Sequence, residues 1–286
     1  MKKLITRTLS GAIYVLLLVG CTVYSPITAF LFFALIAVAT LWEFSSLMND
    51  HVHLSIPRFI NSVAGFVLVA SVWTSAIGIP QAAQVFALYG LLLIYILVSE
   101  LYRHEKTPLR NWTFCFASQI YIPLPFALLS LISIDNNPES GMPVYSWVYP
   151  LALFIFIWVN DTFAYLFGMS LRKVFPAKLF PRISPKKSWI GSIGGAVCTL
   201  VASVIVCSFL PDVMPLERWL GFAVVVIVFG TWGDLVESLI KRHLGIKDSG
   251  KILPGHGGLL DRLDSALLAI PATVIYFILT QNLFTI

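Results

Sequence analysis

Asp261 and Asp264 close the stretch "GHGGLLDRLD" (255–264), at the mouth of a long apolar run. Three residues apart, they share one face of a helix, while Arg262 points about 100° away. A second cluster follows the same logic: Asp234, Glu237, Ser238 and Lys241 recur at i, i+3, i+4 and i+7, again one helical face. Two carboxylate-bearing faces meeting across a helix pair suit a hard divalent cation. Oxygen donors without His or Cys clustering favour Mg2+ over zinc. The neighbouring loops carry the opposite charge. "RISPKKSWIGSIGG" (182–195) offers Arg182, Lys186 and Lys187, and "KRHLGIKDSGKILPGHGG" (241–258) adds Lys241, Arg242, Lys247 and Lys251. In the latter, Gly257 and Gly258 let backbone amides approach an anion at a helix N-terminus. Either loop alone reads as a basic turn. Beside the acids, the two describe a polyphosphate–Mg2+ site, with carboxylates on the metal and Lys or Arg on the remaining phosphate charge. His256, between glycines, is a candidate phosphate partner, whereas His243 reads as solvated. There is no P-loop and no Gly-x-Gly-x-x-Gly before a strand, so any nucleotide is held through its phosphates and metal.

The elements that carry these residues are set by the solvent. The 286-residue chain is 58% hydrophobic and 12% charged, against about 25% charged in ordinary soluble domains. Long uncharged runs recur over its whole length, so the bilayer is the solvent. Nine candidate spans follow, at roughly 8–24, 26–47, 59–79, 82–101, 111–133, 147–170, 190–210, 218–240 and 259–282. The expectation is an all-α polytopic membrane protein forming one transmembrane domain, with N-terminal spans in 1–140 and a catalytic portion in 147–286. "YSP" (24–26) separates the first two spans, and Pro26 favours two antiparallel helices over one long one. "MKKLITR" begins like a signal peptide, but no small-residue cleavage site follows, which predicts a retained span.

With the N-terminus cytoplasmic, every Lys and Arg except Arg218 falls on the inner side, as the positive-inside rule asks. The net charge of +5 therefore marks orientation and a phosphate-facing surface, not nucleic-acid binding. In this topology Glu43, Asp161, Asp234, Glu237, Asp261 and Asp264 share the cytoplasmic half of the membrane. A carboxylate at the bilayer centre costs at least ~2.5–3.5 kcal/mol, so such residues face a cavity or a partner. Glu43 alone reads equally well as glue between helices, paired with a Lys or Arg, and its substitution is expected to be mild. An ion transporter is the rival class, but transporter sites lie near the midplane on repeated halves, and no repeat is evident here. Cys21, Cys115, Cys198 and Cys207 lie scattered in apolar runs and read as inert thiols.

"SLIKRHLGIKDSGKILPGHGGLLDRLD" (238–264) resembles, without departure, the signature of phosphatidate cytidylyltransferases, also called CDP-diacylglycerol synthases. "NDTFAYLFG" (160–168), "SPKKSWIGSIGG" (184–195) and "GDLVES" (233–238) extend the likeness over the C-terminal half. Ile190 stands where members often carry Glu or Gln, which removes any polar role there. The resemblance implies conversion of CTP and phosphatidate to CDP-diacylglycerol and pyrophosphate. It also implies an all-helical membrane fold, Mg2+ held by Asp234, Asp261 and Asp264, and a monovalent cation such as K+ beside it. Lys186, Lys187, Lys241, Arg242 and Arg262 become candidate phosphate clamps, with Asp161 and Asn160 completing the cavity. Phosphatidate would arrive from the inner leaflet of a bacterial cell membrane, among other lipids, with a homodimer left open. A CTP-dependent lipid-alcohol kinase is the neighbouring alternative. The topology predicts that single cysteines placed at the two termini label from opposite faces of the membrane. Labelling from the same face would put the span count wrong by one, within residues 8–47.

Overall fold

In lipid only intra-segment hydrogen bonds satisfy a backbone, so long apolar runs must be helical. A computed structural model of the chain describes residues 2–136, 142–171, 173–250, 252 and 257–281, without the side chains of 2–7, 135, 136 and 281. Its helices are α1 (Lys2–Tyr24), α2 (Pro26–Val52), α3 (Arg58–Ala76), α4 (Ala82–Arg103), α5 (Pro108–Tyr121), α6 (Pro123–Ser133), α7 (Val148–Leu171), α8 (Trp189–Phe209), α9 (Leu216–His243) and α10 (Leu260–Gln281). Among the described residues, eight helical segments are long and apolar enough to cross a membrane, with α5 and α6 together forming one of them. The apolar part of α1, Thr8–Tyr24, is a shorter ninth. The chain is an all-α polytopic membrane protein.

Three local features refine the expected spans. Ser25 alone is non-helical between α1 and α2; its extended backbone and hydroxyl cap α2 by accepting from the Thr28 amide at 3.2 Å, with Pro26 next. The single span expected over 111–133 is broken at Ile122, because Pro123 lacks an N–H and its ring clashes with the preceding turn. The third is α9, which runs on to His243, so Lys241 and Arg242 lie in its last helical turn, where cations complement the helix dipole. Two short antiparallel hairpins, β1 (Ile134–Asn136) with β2 (Pro143–Tyr145) and β3 (Lys178–Phe180) with β4 (Ser184–Ser188), had no counterpart in the sequence reading.

The chain divides into two compact units, one of residues 1–147 with 244–263, the other of 148–243 with 264–286. In the first, α2, α3 and α6 pack around Leu41, Ala64, Leu68, Phe126 and Leu129, all buried. Gly65 admits the helix break: a Cβ there would stand 2.8 Å from Leu41 Cδ2 and 3.3 Å from the Pro123 ring. Polar glue supplements this packing. Buried Asn61 donates to Ser45 and Ser118 at 3.1 and 3.0 Å, and Gln119 donates to the Asn61 side chain at 2.8 Å. Most of α4 is exposed apolar surface, as a lipid-facing helix requires, and its buried acid Glu100 is bonded to Arg103 at 2.6 Å and Asn111 at 3.3 Å.

In the second unit the closest packing joins α7 to α8. The buried residues of α8 are Gly191, Gly195, Thr199 and Ser203, one stripe of small residues four apart. They face Asn160, Ala164 and Gly168 of α7. A Cβ on Gly191 would lie 2.6 Å from the Ala164 carbonyl oxygen, and one on Gly195 2.6 Å from that of Asn160. Small residues let helix backbones approach where lipid supplies no hydrophobic drive between helices. An aromatic cluster of Tyr149, Phe156, Trp219, Phe222 and Phe277 fills the other side of α7, with Phe222 and Phe277 at 5.0 Å. Gly195→Leu should therefore destabilise the protein by roughly 1–3 kcal/mol through overpacking, read as a lower melting temperature in detergent. Gly90→Ala, in open space on α4, is the control and should not lower it.

Candidate active site

The C-terminal unit builds an acidic cluster from three helices. Helices α9 and α10 run antiparallel, with Phe222 against Phe277 at one end and Gly233 against Asp264 and Ser265 at the other. Gly233 is what permits this approach. A Cβ there would meet the Asp264 carbonyl oxygen and lie 3.0 Å from the Ser265 Cα. Asp264 is thus brought into the electrostatic field of Asp234 and Glu237 on α9 and of Asp161 on α7. Lys187, from β4, reaches into the same group and pairs with Asp234 at 2.7 Å, its ammonium also donating to the Thr231 carbonyl at 3.4 Å. Ser238 donates to the other Asp234 oxygen at 3.1 Å, and Lys241 pairs with Glu237 one turn away.

Exposure separates the roles of the two acids on α9. The Glu237 side chain is 0% exposed and the Asp234 side chain 30%, so Asp234 can meet a soluble ligand while Glu237 serves as counter-charge to Lys241. The carboxylates of Asp161, Asp234, Glu237 and Asp264 gather here with the ammonium groups of Lys187 and Lys241. An all-oxygen donor set of this kind fits a hard divalent cation. Among the described residues, no three His, Cys, Asp or Glu side chains converge tightly enough to enclose an ion by themselves. Mg2+ needs no such cage, since it characteristically takes one or two carboxylates together with waters and substrate phosphates.

Asp261 belongs to the other unit, although α10 carries it and Asp264 alike. Its Oδ2 accepts from the amides of Ser249 and Gly258, each at 2.9 Å. Glu43, on α2, accepts from the Ser249 hydroxyl at 2.6 Å and from the amides of Leu259 and Leu260 at 2.9 and 3.2 Å. Two expectations change here. The amide of Gly258, expected to face an anionic ligand, is directed to the Asp261 carboxylate. Glu43 does join separate parts of the chain, but through a hydroxyl and first-turn amides in place of a Lys or Arg. Gly257 adopts a left-handed φ of 86°, which only glycine takes easily.

The remaining candidates are dispersed. Lys186, Arg242 and Arg262 are exposed, and Arg242 donates from Nε to the Ile183 carbonyl at 3.3 Å, tying the end of α9 to the β3–β4 hairpin. Asp161, the α7 member of the cluster described above, has buried Asn160 beside it. His256 lies outside the described residues, as does Lys251. The four cysteines are free thiols. Sequence reasoning passed over Ser249, whose only signal was its place in "KDSG", and gave Ser238 no job despite its position on the Asp234 face.

A model of the cytidylyltransferase family matches residues 5–280, nearly the whole chain. The chain belongs to this family. Among its relatives, the phosphatidate cytidylyltransferase of Staphylococcus haemolyticus is 34% identical over 93% of this chain and 95% of its own length. Those of Staphylococcus epidermidis and Staphylococcus saprophyticus are 33% and 32% identical, over 96% and 93% of this chain and 99% and 95% of their own. As a cytidylyltransferase, the protein is a nucleotidyl-transferring enzyme embedded in a membrane, and a transporter reading has no support. The glycine contact makes a direct test of the cluster. Gly233→Ala should shift Asp264 and cut transfer by between about ten- and a hundredfold, as small misplacements do. Gly230→Ala, whose Cβ would meet Ser265 at an ordinary 3.8 Å, should stay near wild type. Steady-state rates of the two purified variants decide it.

Proposed function

We propose that the protein transfers the cytidylyl group of CTP to phosphatidate, giving CDP-diacylglycerol for phospholipid synthesis and releasing pyrophosphate. The observation that carries this reading is the carboxylate cluster on α7, α9 and α10, with Lys187 and Lys241 paired into it, in a lipid-embedded member of the cytidylyltransferase family. Its relatives bear the name phosphatidate cytidylyltransferase. The active site faces the cytoplasm of a bacterial cell, where CTP is found, and phosphatidate enters from the inner leaflet with its tails still in hydrocarbon.

In the reaction a phosphate oxygen of phosphatidate attacks the α-phosphorus of CTP. The bond from that phosphorus to the bridging oxygen breaks, and pyrophosphate leaves with the electron pair. The attacking oxygen is already anionic, so no strong general base is required. The difficulty is bringing two polyanions together. Lys187 and Lys241, already held against acids in the cluster, and the exposed Lys186, Arg242 and Arg262 lower that repulsion and orient the phosphates. By the family resemblance, Asp234, Asp261 and Asp264 are the residues that would hold Mg2+, with Asp161 completing the cavity and K+ as a second cation. When bound, Mg2+ neutralises phosphate charge and favours departure of pyrophosphate.

The test uses purified protein, phosphatidate vesicles and labelled CTP across a Mg2+ titration. Wild type should form CDP-diacylglycerol and one pyrophosphate per turnover, only with Mg2+. Asp234→Asn, Asp261→Asn and Asp264→Asn should each lose about a hundredfold or more, partly rescued by excess Mg2+. Lys241→Ala should lose activity without rescue. Near-wild-type rates in well-folded Asp234→Asn and Asp261→Asn would sink the metal assignment, and label appearing in a phosphorylated alcohol would point to lipid kinase activity.

A further inference from the structure

Glu43 is a buried carboxylate on α2, far in the chain from the 238–264 segment, yet each of its oxygens accepts hydrogen bonds from that segment. The amides of Leu259 and Leu260 lie at the start of α10, where a helix has donors without intrahelical partners and a positive dipole end. A carboxylate meets both needs. Ser249 links this cap to Asp261, since its hydroxyl donates to Glu43 at 2.6 Å and its amide to Asp261 at 2.9 Å. One residue thus fixes two carboxylates at once.

The glycines around Glu43 point the same way. A Cβ on Gly250 would lie 2.6 Å from Glu43 Oε2, and one on Gly258 would collide with Glu43 Oε1 and the Ser249 hydroxyl. Neither glycine has a left-handed φ. Their lack of a side chain therefore makes room for Glu43 and is not demanded by backbone conformation. Gly257 is the contrast, with φ of 86° and a would-be Cβ 2.6 Å from Asp261 Oδ2.

We propose that Glu43 is a positioning residue for Asp261: it caps α10 and, through Ser249, sets the direction of the Asp261 carboxylate. The role in turnover rests on the reading of Asp261 as a metal ligand; the capping does not. Glutamine at position 43 keeps the shape but turns an NH2 group toward one of the donors, leaving at least one buried donor unmatched.

Two readouts test this, amide hydrogen exchange over 249–262 in the metal-free protein, and kcat with half-saturating Mg2+ under assay. Glu43→Gln should speed exchange at Ser249, Leu259 and Leu260 by roughly ten- to a hundredfold, the scale of a lost bond to a charged group. It should also raise half-saturating Mg2+ by about tenfold, lower kcat, and leave the KM for phosphatidate unchanged. Ser249→Ala keeps Glu43 in place and should move both readouts the same way by about tenfold, the low end for one bond to a charged group; it carries the test if Glu43→Gln does not fold. Unchanged exchange and Mg2+ dependence in either folded variant would overturn the proposal, and so would faster exchange with wild-type Mg2+ dependence, which leaves Glu43 a purely structural cap. A wild-type enzyme that turns over without Mg2+ would instead remove the reading of Asp261 on which the catalytic part rests.

Discussion

A carboxylate in a lipid-embedded chain remains an anion only where donors or cations come to meet it, because neither lipid nor apolar packing solvates the charge. The acids near the signature each meet that constraint differently. Asp234 and Glu237 hold lysines, and Asp261 and Glu43 hold backbone amides and a serine hydroxyl. Those held by amides have their direction fixed by the fold. Those held by lysines can exchange that partner for a ligand, which is the property a phosphate and metal site needs.

Close helix approach is the second requirement, and glycine supplies it. Gly191 and Gly195 seat α8 on α7, and Gly233 seats α10 on α9, so that acids on three helices lie within one another's field. The same residues that look like flexible punctuation in "WIGSIGG" and "WGDLVES" are points of contact inside helices. Bulk at any of them separates backbones whose spacing sets the geometry of the charged groups, so packing and chemistry are linked through the same few positions.

Much of the site was legible because polar residues are so costly in this solvent that they stand out. Asp161, Asp234 and Asp264 were singled out by depth and helical spacing alone, and the structure brings them together with Glu237. Glu43 was visible as an outlier, but its partners were not. Hydrogen bonds to Leu259 and Leu260 amides leave no trace in residue type, and a reading by charge looks for a Lys or Arg. The role of Gly258 was misjudged for a related reason: a Gly-rich helix start offers amides, but sequence does not say whether a ligand or the protein's own carboxylate takes them.

The sequence by itself determined that the chain is helical and membrane-embedded, since only helices satisfy their backbone within a run of apolar residues this long. It also determined which face of α9 carries acids, because helical periodicity is a local property. Tertiary structure alone decided where the span at 111–133 breaks, since a proline can kink, end or merely strain a helix according to what packs beside it, here Leu41 and Gly65. It alone decided that Lys187 pairs with Asp234 and that Ser249 stands between Glu43 and Asp261, 206 residues from the former and 12 from the latter. Such pairings depend on how side chains from distant segments meet in space, and no periodicity along the chain encodes that.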